Sequence, residues 1–233
     1  LALLPSGFVD LLPPEAGQES AAISKLIDGF LAFGYERIKP PLAEFEDSLL
    51  APGPGAALAH ETFRLMDPVS HRMMGVRSDI TPQIARIASS RLAAEQRPLR
   101  LAYANDVLRT RGSQQRTERQ FCQVGCELIG AQGPEAEIEI CMLALLGLRD
   151  LGLKNITIDL TVPGLVQNLF DAYGVEEKDR AVILEMIEKR AGDSIEKIKG
   201  PIAKALADLL GASGAADRAL KILEGMKVSK EIQ

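Results

Sequence analysis

The chain has 233 residues, with 27 Lys and Arg against 32 Asp and Glu, for a net charge of −5. With 46% hydrophobic and 25% charged residues it has the composition of a globular domain, long enough for one large core or a core with a small appendage. The acidic balance argues against bulk electrostatic binding of nucleic acid, and no apolar run approaches the ~20 residues of a membrane span.

Residues 4–16, LPSGFVDLLPPEA, are proline-rich and apolar and read as an extended lead-in. The start, LALLPSGFVD, lacks the basic and long apolar regions of a signal peptide, so a cytoplasmic protein is expected. A helix follows from Pro14 or Glu15 to Phe33, with Ala22, Leu26, Ile27, Phe30 and Phe33 at helical spacing. Gly34 suits its left-handed end. Tyr35 to Lys39 reads as a short strand stopped by Pro40 and Pro41.

Residues 51–61, APGPGAALAHE, read as a loop, either a lid or a plain surface loop. Thr62–Met66 and Arg72–Arg77 flank DPVSH, a turn composition, and predict a β-hairpin. Arg77, Asp79 and Thr81 then alternate, so an extended backbone would turn all three the same way. Pro82 fits the first turn of a helix running to about Leu92, with Thr81 either its N-cap or a ligand contact. Asp79 has no such structural duty in the sequence and is a good partner for an ammonium group.

The stretch Leu99 to Gly130, LRLAYANDVLRTRGSQQRTERQFCQVGCELIG, predicts two strands, Leu99–Arg109 and Arg119–Ile129, joined by an arginine-rich loop. On the second strand Phe121, Gln123, Gly125, Glu127 and Ile129 share one face, and Cys122, Val124, Cys126 and Leu128 the other. Polar groups on one side and an apolar stripe on the other predict a sheet with core behind and ligand in front. Arg109, at the strand end, is expected to reach the space of Gln123 and Glu127. Arg111, Arg116 and Arg119 are candidate anion contacts, since guanidinium forks match carboxylate and phosphate oxygens; the alternative is a solvated hairpin tip. Three cysteines form no disulfide framework, and with only His60 and His71 no metal site is expected. Cys122, Cys126 and Cys141 read as buried structural thiols.

Residues 134–151 predict a helix with Ile138, Cys141, Met142, Leu145 and Leu148 as its buried stripe. Glu135, Glu137 and Glu139 read as solvated charges favoured by the helix dipole. Asn155 to Val162 alternates as a strand. From about Leu165 to Gln233 the chain reads as successive amphipathic helices with turn signals at Gly174, Gly192, Gly200–Pro201, Gly211–Gly214 and Gly225. It carries no basic stripe with aromatics, so no nucleic-acid role is expected.

Several of these segments resemble the class II aminoacyl-tRNA synthetases in their histidyl form. VLR (107–109) and RQFCQVGCELIG (119–130) resemble their motif 2, at that family's spacing. RSDITPQIAR (77–86) resembles the amino-acid-binding segment, and GFVDLLPPEA (7–16) the N-terminal entry. The helix, strand and prolines of residues 15–41 resemble motif 1, which implies a homodimer. Together the matches cover roughly Leu4 to Leu160. Two departures stand out. Arg111 occupies the position of an adenine-contacting glutamate, and Arg-Ser-Asp-Ile-Thr (77–81) replaces Arg-Pro-Glu-Gly-Thr. Both are similar to the regulatory subunits of ATP phosphoribosyltransferase, noncatalytic paralogues that serve the first step of histidine biosynthesis.

The resemblance implies an α+β fold: a class II synthetase-like antiparallel sheet flanked by helices over residues 1–163, and a helical insertion or subdomain over 164–233. It implies L-histidine as effector, with the carboxylate on Arg109, the ammonium on Asp79, Thr81 and Gln123, and an imidazole N–H on Glu127. It implies a catalytic transferase subunit as partner, with no catalytic residues, cofactor or metal of its own. The alternative is a histidyl-tRNA synthetase fragment that activates histidine with ATP. In that family the sheet continues after such helices, with further strands and an ATP-binding arginine. The sequence ends at Gln233 without them and without an anticodon-binding domain, so a C-terminally shortened chain is expected.

Overall fold

The computed structural model describes residues 3–51, 54–114, 116–159, 163–188, 201–211 and 221. The chain separates into two compact units, Leu1–Ile158 and Asp159–Gln233.

The first unit is built on the long hairpin. β5 (Leu99–Leu108) and β6 (Gln120–Ile129) pair antiparallel along their whole length, with Leu99 opposite Ile129 and Leu108 opposite Gln120. The two-residue β1 (Glu36–Arg37) adds parallel to β5, giving the order β1-β5-β6. The predicted strand at Tyr35–Lys39 is thus shorter than expected, because Pro40 cannot extend the ladder.

Both faces of this sheet are covered, which an alternating strand pair requires when neither face is purely polar. Behind it lie α1 (Glu15–Ala32) and α5 (Pro134–Asp150). Ile27 and Phe30 of α1 and Leu143 of α5 pack with Tyr35, Ala102, Ala104, Cys122, Val124 and Cys126. The cysteines therefore lie on the predicted apolar face, as free thiols. Burial pushes Cys126 up to about 11 and Cys122 in the same direction. In front lies α4 (Thr81–Ser89), whose Ile84 and Ala88, with Ile80 just before it, pack on Leu99, Leu101, Tyr103 and Val107. The side of the sheet expected to face a ligand is thus apolar under α4 and polar only beside it.

The predicted small hairpin is present. β3 (Phe63–Met66) and β4 (Met73–Val76) pair antiparallel, and β2 (Ala43–Phe45) joins β4 on its other side. Two short helices, α2 (Glu46–Leu49) and α3 (Pro54–Ala57), lie between β2 and β3. A single helical turn thus occupies part of the expected loop at 51–61.

Four expectations are corrected. On α5 the buried residue is Leu143, with Ile140 packed on the same core, while Ile138 is 60% and Met142 46% exposed. The helix is apolar nearly all round, so periodicity did not select its inner face. Glu139 is not a solvated charge. It accepts from Arg100 Nε and Nη2, both at 2.9 Å, and from the Tyr35 hydroxyl at 2.9 Å. The Arg100 hydrogen bonds hold its carboxyl below the usual range. Phe33, expected on the α1 stripe, is 52% exposed. Residues 155–159 form no strand, and 160–162 of that prediction lie outside the described residues.

The second unit contains α6 (Pro163–Ala172), α7 (Glu177–Glu188) and α8 (Pro201–Gly211). Leu169, Phe170, Ile183, Ile202, Ala205 and Leu206 form its core, the amphipathic helix pattern expected there. Gly174 takes a positive φ of 64° between α6 and α7. The turn signals at Gly192, Gly200, Gly214 and Gly225 lie outside the described residues. Among the described residues no helix is long and apolar enough to cross a membrane.

Candidate functional site

The five predicted contact residues converge on one short segment, Ser78–Thr81, which leads from β4 into α4. Glu127 Oε1 accepts the Thr81 hydroxyl at 3.1 Å. Gln123 Oε1 accepts the Ile80 N–H at 3.0 Å. Arg109 Nε donates to the Ser78 carbonyl at 3.3 Å. Asp79 lies within the segment, and its Oδ1 accepts the Thr81 N–H at 2.8 Å.

That last bond reverses two sequence readings. Thr81 is the first residue of α4 and makes no cap; its hydroxyl turns to Glu127 and Tyr103. Asp79 supplies the capping-type contact instead, satisfying one of the orphan amides at the helix start. The shared direction of Arg77, Asp79 and Thr81 is also corrected. Arg77 is 3% exposed and turns inward, donating to Asp106 O at 2.7 Å and to Pro40 O and Pro41 O at 2.9 and 3.1 Å. It ties the proline corner after β1 to the end of β5 and so fixes where Ser78–Thr81 runs.

Two residues beside this cluster escaped sequence reasoning. Tyr103 faces Gly125 across the ladder, with its hydroxyl 3.3 Å from Glu127 Oε1 and 3.4 Å from Thr81 Oγ1. A tyrosine in an apolar strand gives no sign of its role until the register places it beside Glu127. Asn105 pairs with Gln123 and shares its face, and its Nδ2 is buried without a partner. A buried donor of this kind calls for an acceptor. The paired positions, Tyr103 with Gly125 and Asn105 with Gln123, could have been found only by fixing the hairpin register from sequence.

The electrostatics follow from burial. Desolvation raises Glu127 above the usual carboxylate range, and Asp79 adds to this; hydrogen bonds from Thr81 and Tyr103 pull the other way. Burial pushes Tyr103 up to about 12, so it stays a hydroxyl donor.

The arginines of the hairpin tip divide. Arg119 is engaged locally: Nε donates to Arg109 O at 3.1 Å and Nη1 to Ser6 O at 3.2 Å, and its guanidinium lies 4.9 Å from both the Phe8 and Phe63 rings. Gly7, at φ +80°, gives it room, since a Cβ there would come within 2.7 Å of the Arg119 stem. Arg116 stacks over Phe121 at 4.3 Å. Arg111 lines an open cleft of about 350 Å³ with His60, Glu61, Arg109, Thr110, Gly112 and Ser113. Arg109 also meets Glu61 Oε2 at 3.4 Å. Among the described residues no group of three or more His, Cys, Asp or Glu is placed to hold a metal ion.

Residues 7–233 match the family model described as histidyl-tRNA synthetase. A Rhodospirillum centenum protein named ATP phosphoribosyltransferase regulatory subunit is 47% identical over 226 residues, covering 97% of this chain and 58% of that protein. One of the same name from Rhodospirillum rubrum is 46% identical over 230 residues, covering 99% and 60%. The chain thus spans 58% to 60% of the length of these curated relatives. A solved structure from Bacillus halodurans, described as an ATP phosphoribosyltransferase regulatory subunit/histidyl-tRNA synthetase, superposes with a TM-score of 0.85 at 24% identity, over 99% of this chain and 60% of that one. That superposition establishes the class II synthetase-like α+β fold. The chain therefore belongs to the histidyl-tRNA synthetase family.

Proposed function

We propose that this chain is the synthetase-like part of a noncatalytic regulatory subunit of ATP phosphoribosyltransferase, and that its pocket binds free histidine as feedback effector. The observation that carries the reading is the cluster on Ser78–Thr81. It brings acceptors, Asp79 and Glu127, beside donors, Arg109 and Gln123, with Asn105 paired to Gln123 on the same sheet face. A zwitterion with a donor-bearing side chain needs such a divided pocket, because each of its charges loses water on entry. The names of the two Rhodospirillum relatives support the transferase as partner.

Roles follow from what each side chain has left. Gln123, expected on the ammonium, spends its carbonyl on Ile80 N–H and keeps its amide N–H groups, which suit the ligand carboxylate alongside Arg109 instead. Asp79 is the ammonium partner, and Glu127 accepts the imidazole N–H. Arg111 stands where synthetases of this family carry an adenine-contacting glutamate, which supports a pocket that does not activate histidine with ATP. Feedback then requires that histidine bind one state of the complex more tightly than another. A homodimer through the motif 1-like region and residence in the cytoplasm belong to the same reading.

The test is the catalytic subunit assayed with and without the intact protein, each with and without histidine. Activation that histidine reverses is expected. No effect on the transferase, together with histidine-dependent ATP–pyrophosphate exchange, would replace this reading with the synthetase one.

A further inference from the structure

The Tyr103 hydroxyl and Gly125 form a device within the pocket. Tyr103 is 4% exposed, and its ring lies across the strand position opposite its own. A Cβ on residue 125 would sit 2.6 Å from the hydroxyl oxygen and 2.7 Å from Cζ. No side chain fits there while the ring stays in place. Glycine at 125 therefore lets the tyrosine reach the next residue on the same face, Glu127.

The contacts at Glu127 are asymmetric. Oε1 receives the Thr81 hydroxyl at 3.1 Å and the Tyr103 hydroxyl at 3.3 Å. Among the described residues Oε2 receives no hydrogen bond from the protein. One oxygen is held and the other is left for a ligand. A carboxylate with two free oxygens turns to meet any cation. A carboxylate held through one oxygen offers the other along a restricted direction, which suits a donor on a rigid planar ring.

We propose that Tyr103, lodged over Gly125, is a positioning residue that holds one oxygen of Glu127 so that the other is presented to a ligand ring N–H. The proposal rests on reading the pocket as a histidine site. Tyr103 does not touch the ligand; it acts through Glu127.

The groups facing Glu127 are Asp79 from the segment before α4, Thr81 from α4 and Tyr103 from β5, with the Cys126 thiol adjacent on the other face of β6. Asp79 and burial oppose ionisation of Glu127, and the two hydroxyls support it. Removing the Tyr103 hydroxyl takes away one support, so Glu127 takes up its proton at higher pH.

The experiment is histidine binding by calorimetry to the intact protein, wild type and Tyr103→Phe, from about pH 8 down to about pH 5, towards the ordinary carboxylate range. Phenylalanine keeps the ring over Gly125, and an unchanged melting temperature checks that the fold is retained. The titration of histidine itself is common to both proteins and cancels in their affinity ratio. The expected result is about tenfold weaker binding in the variant near neutrality, the loss of one hydrogen bond to a charged group, with the gap widening as pH falls. A ratio near one, or one constant across pH, while Glu127→Gln loses binding, overturns the positioning role and leaves the pocket reading intact. Wild-type binding in both variants overturns the pocket reading and this proposal with it.

Discussion

Replacing Arg77 by methionine tests the physical argument for how the pocket is held. The guanidinium is buried and donates to the carbonyls of Asp106, Pro40 and Pro41 at 2.7, 2.9 and 3.1 Å. Burial pulls Arg77 below the ordinary arginine value, while Asp106, Cys122 and Glu44 pull it back, so it remains charged at neutral pH. Methionine keeps most of the apolar stem and removes all the donors. Pro41 O retains the Gln83 amide at 2.9 Å, so the other two carbonyls bear most of the loss. Stranding each costs about 1–3 kcal/mol, and the relief of guanidinium desolvation offsets part of this, for a net loss of about 2–4 kcal/mol. In urea unfolding followed by circular dichroism, the midpoint should fall by about 1–2 M. Arg77→Lys should recover only part of the loss, because an ammonium lacks the planar fork. A loss under about 1 kcal/mol in Arg77→Met would refute the claim that Arg77 organises the segment before α4.

Glu127→Ala and Asp79→Ala should each weaken histidine binding by about 1–3 kcal/mol in titration calorimetry, and unchanged affinity in both would dismiss the pocket. Glu127→Gln should raise the denaturation midpoint at neutral pH while losing histidine. The folded pKa of Glu127 is raised, so its ionised form costs stability above that value; the cost disappears as pH falls through the folded pKa towards the ordinary carboxylate value. The stability gain should therefore shrink on acidification, and a gain that grows instead would contradict the sign. Cys126, pushed up to about 11, should resist alkylation near pH 8 until denaturant is added; rapid labelling of the native protein would show that the thiol is accessible.

The parts legible in sequence are those that local pattern encodes. The period-two alternation of 120–129 located both faces of β6, and the Pro40–Pro41 and Gly34 signals bounded α1 and β1. The residues gathered on Ser78–Thr81 were reachable through the motif resemblance. Tertiary structure decided what local pattern leaves degenerate. α5 is apolar on nearly every side, so only packing against α1 and the sheet selects Leu143 over Met142. Glu139 reads in sequence as a solvated charge and Arg77 as a side chain turned with Asp79 and Thr81, yet their partners lie 29 to 104 residues away. Tyr103 gains its role from strand register, which sets it over Gly125 and beside Glu127. By itself the sequence determined the two hairpins, the main helices and the two faces of β6, because side-chain periodicity is a local property. The tertiary structure decided which polar groups are tied to distant segments, because hydrogen-bond satisfaction is settled only when those segments meet.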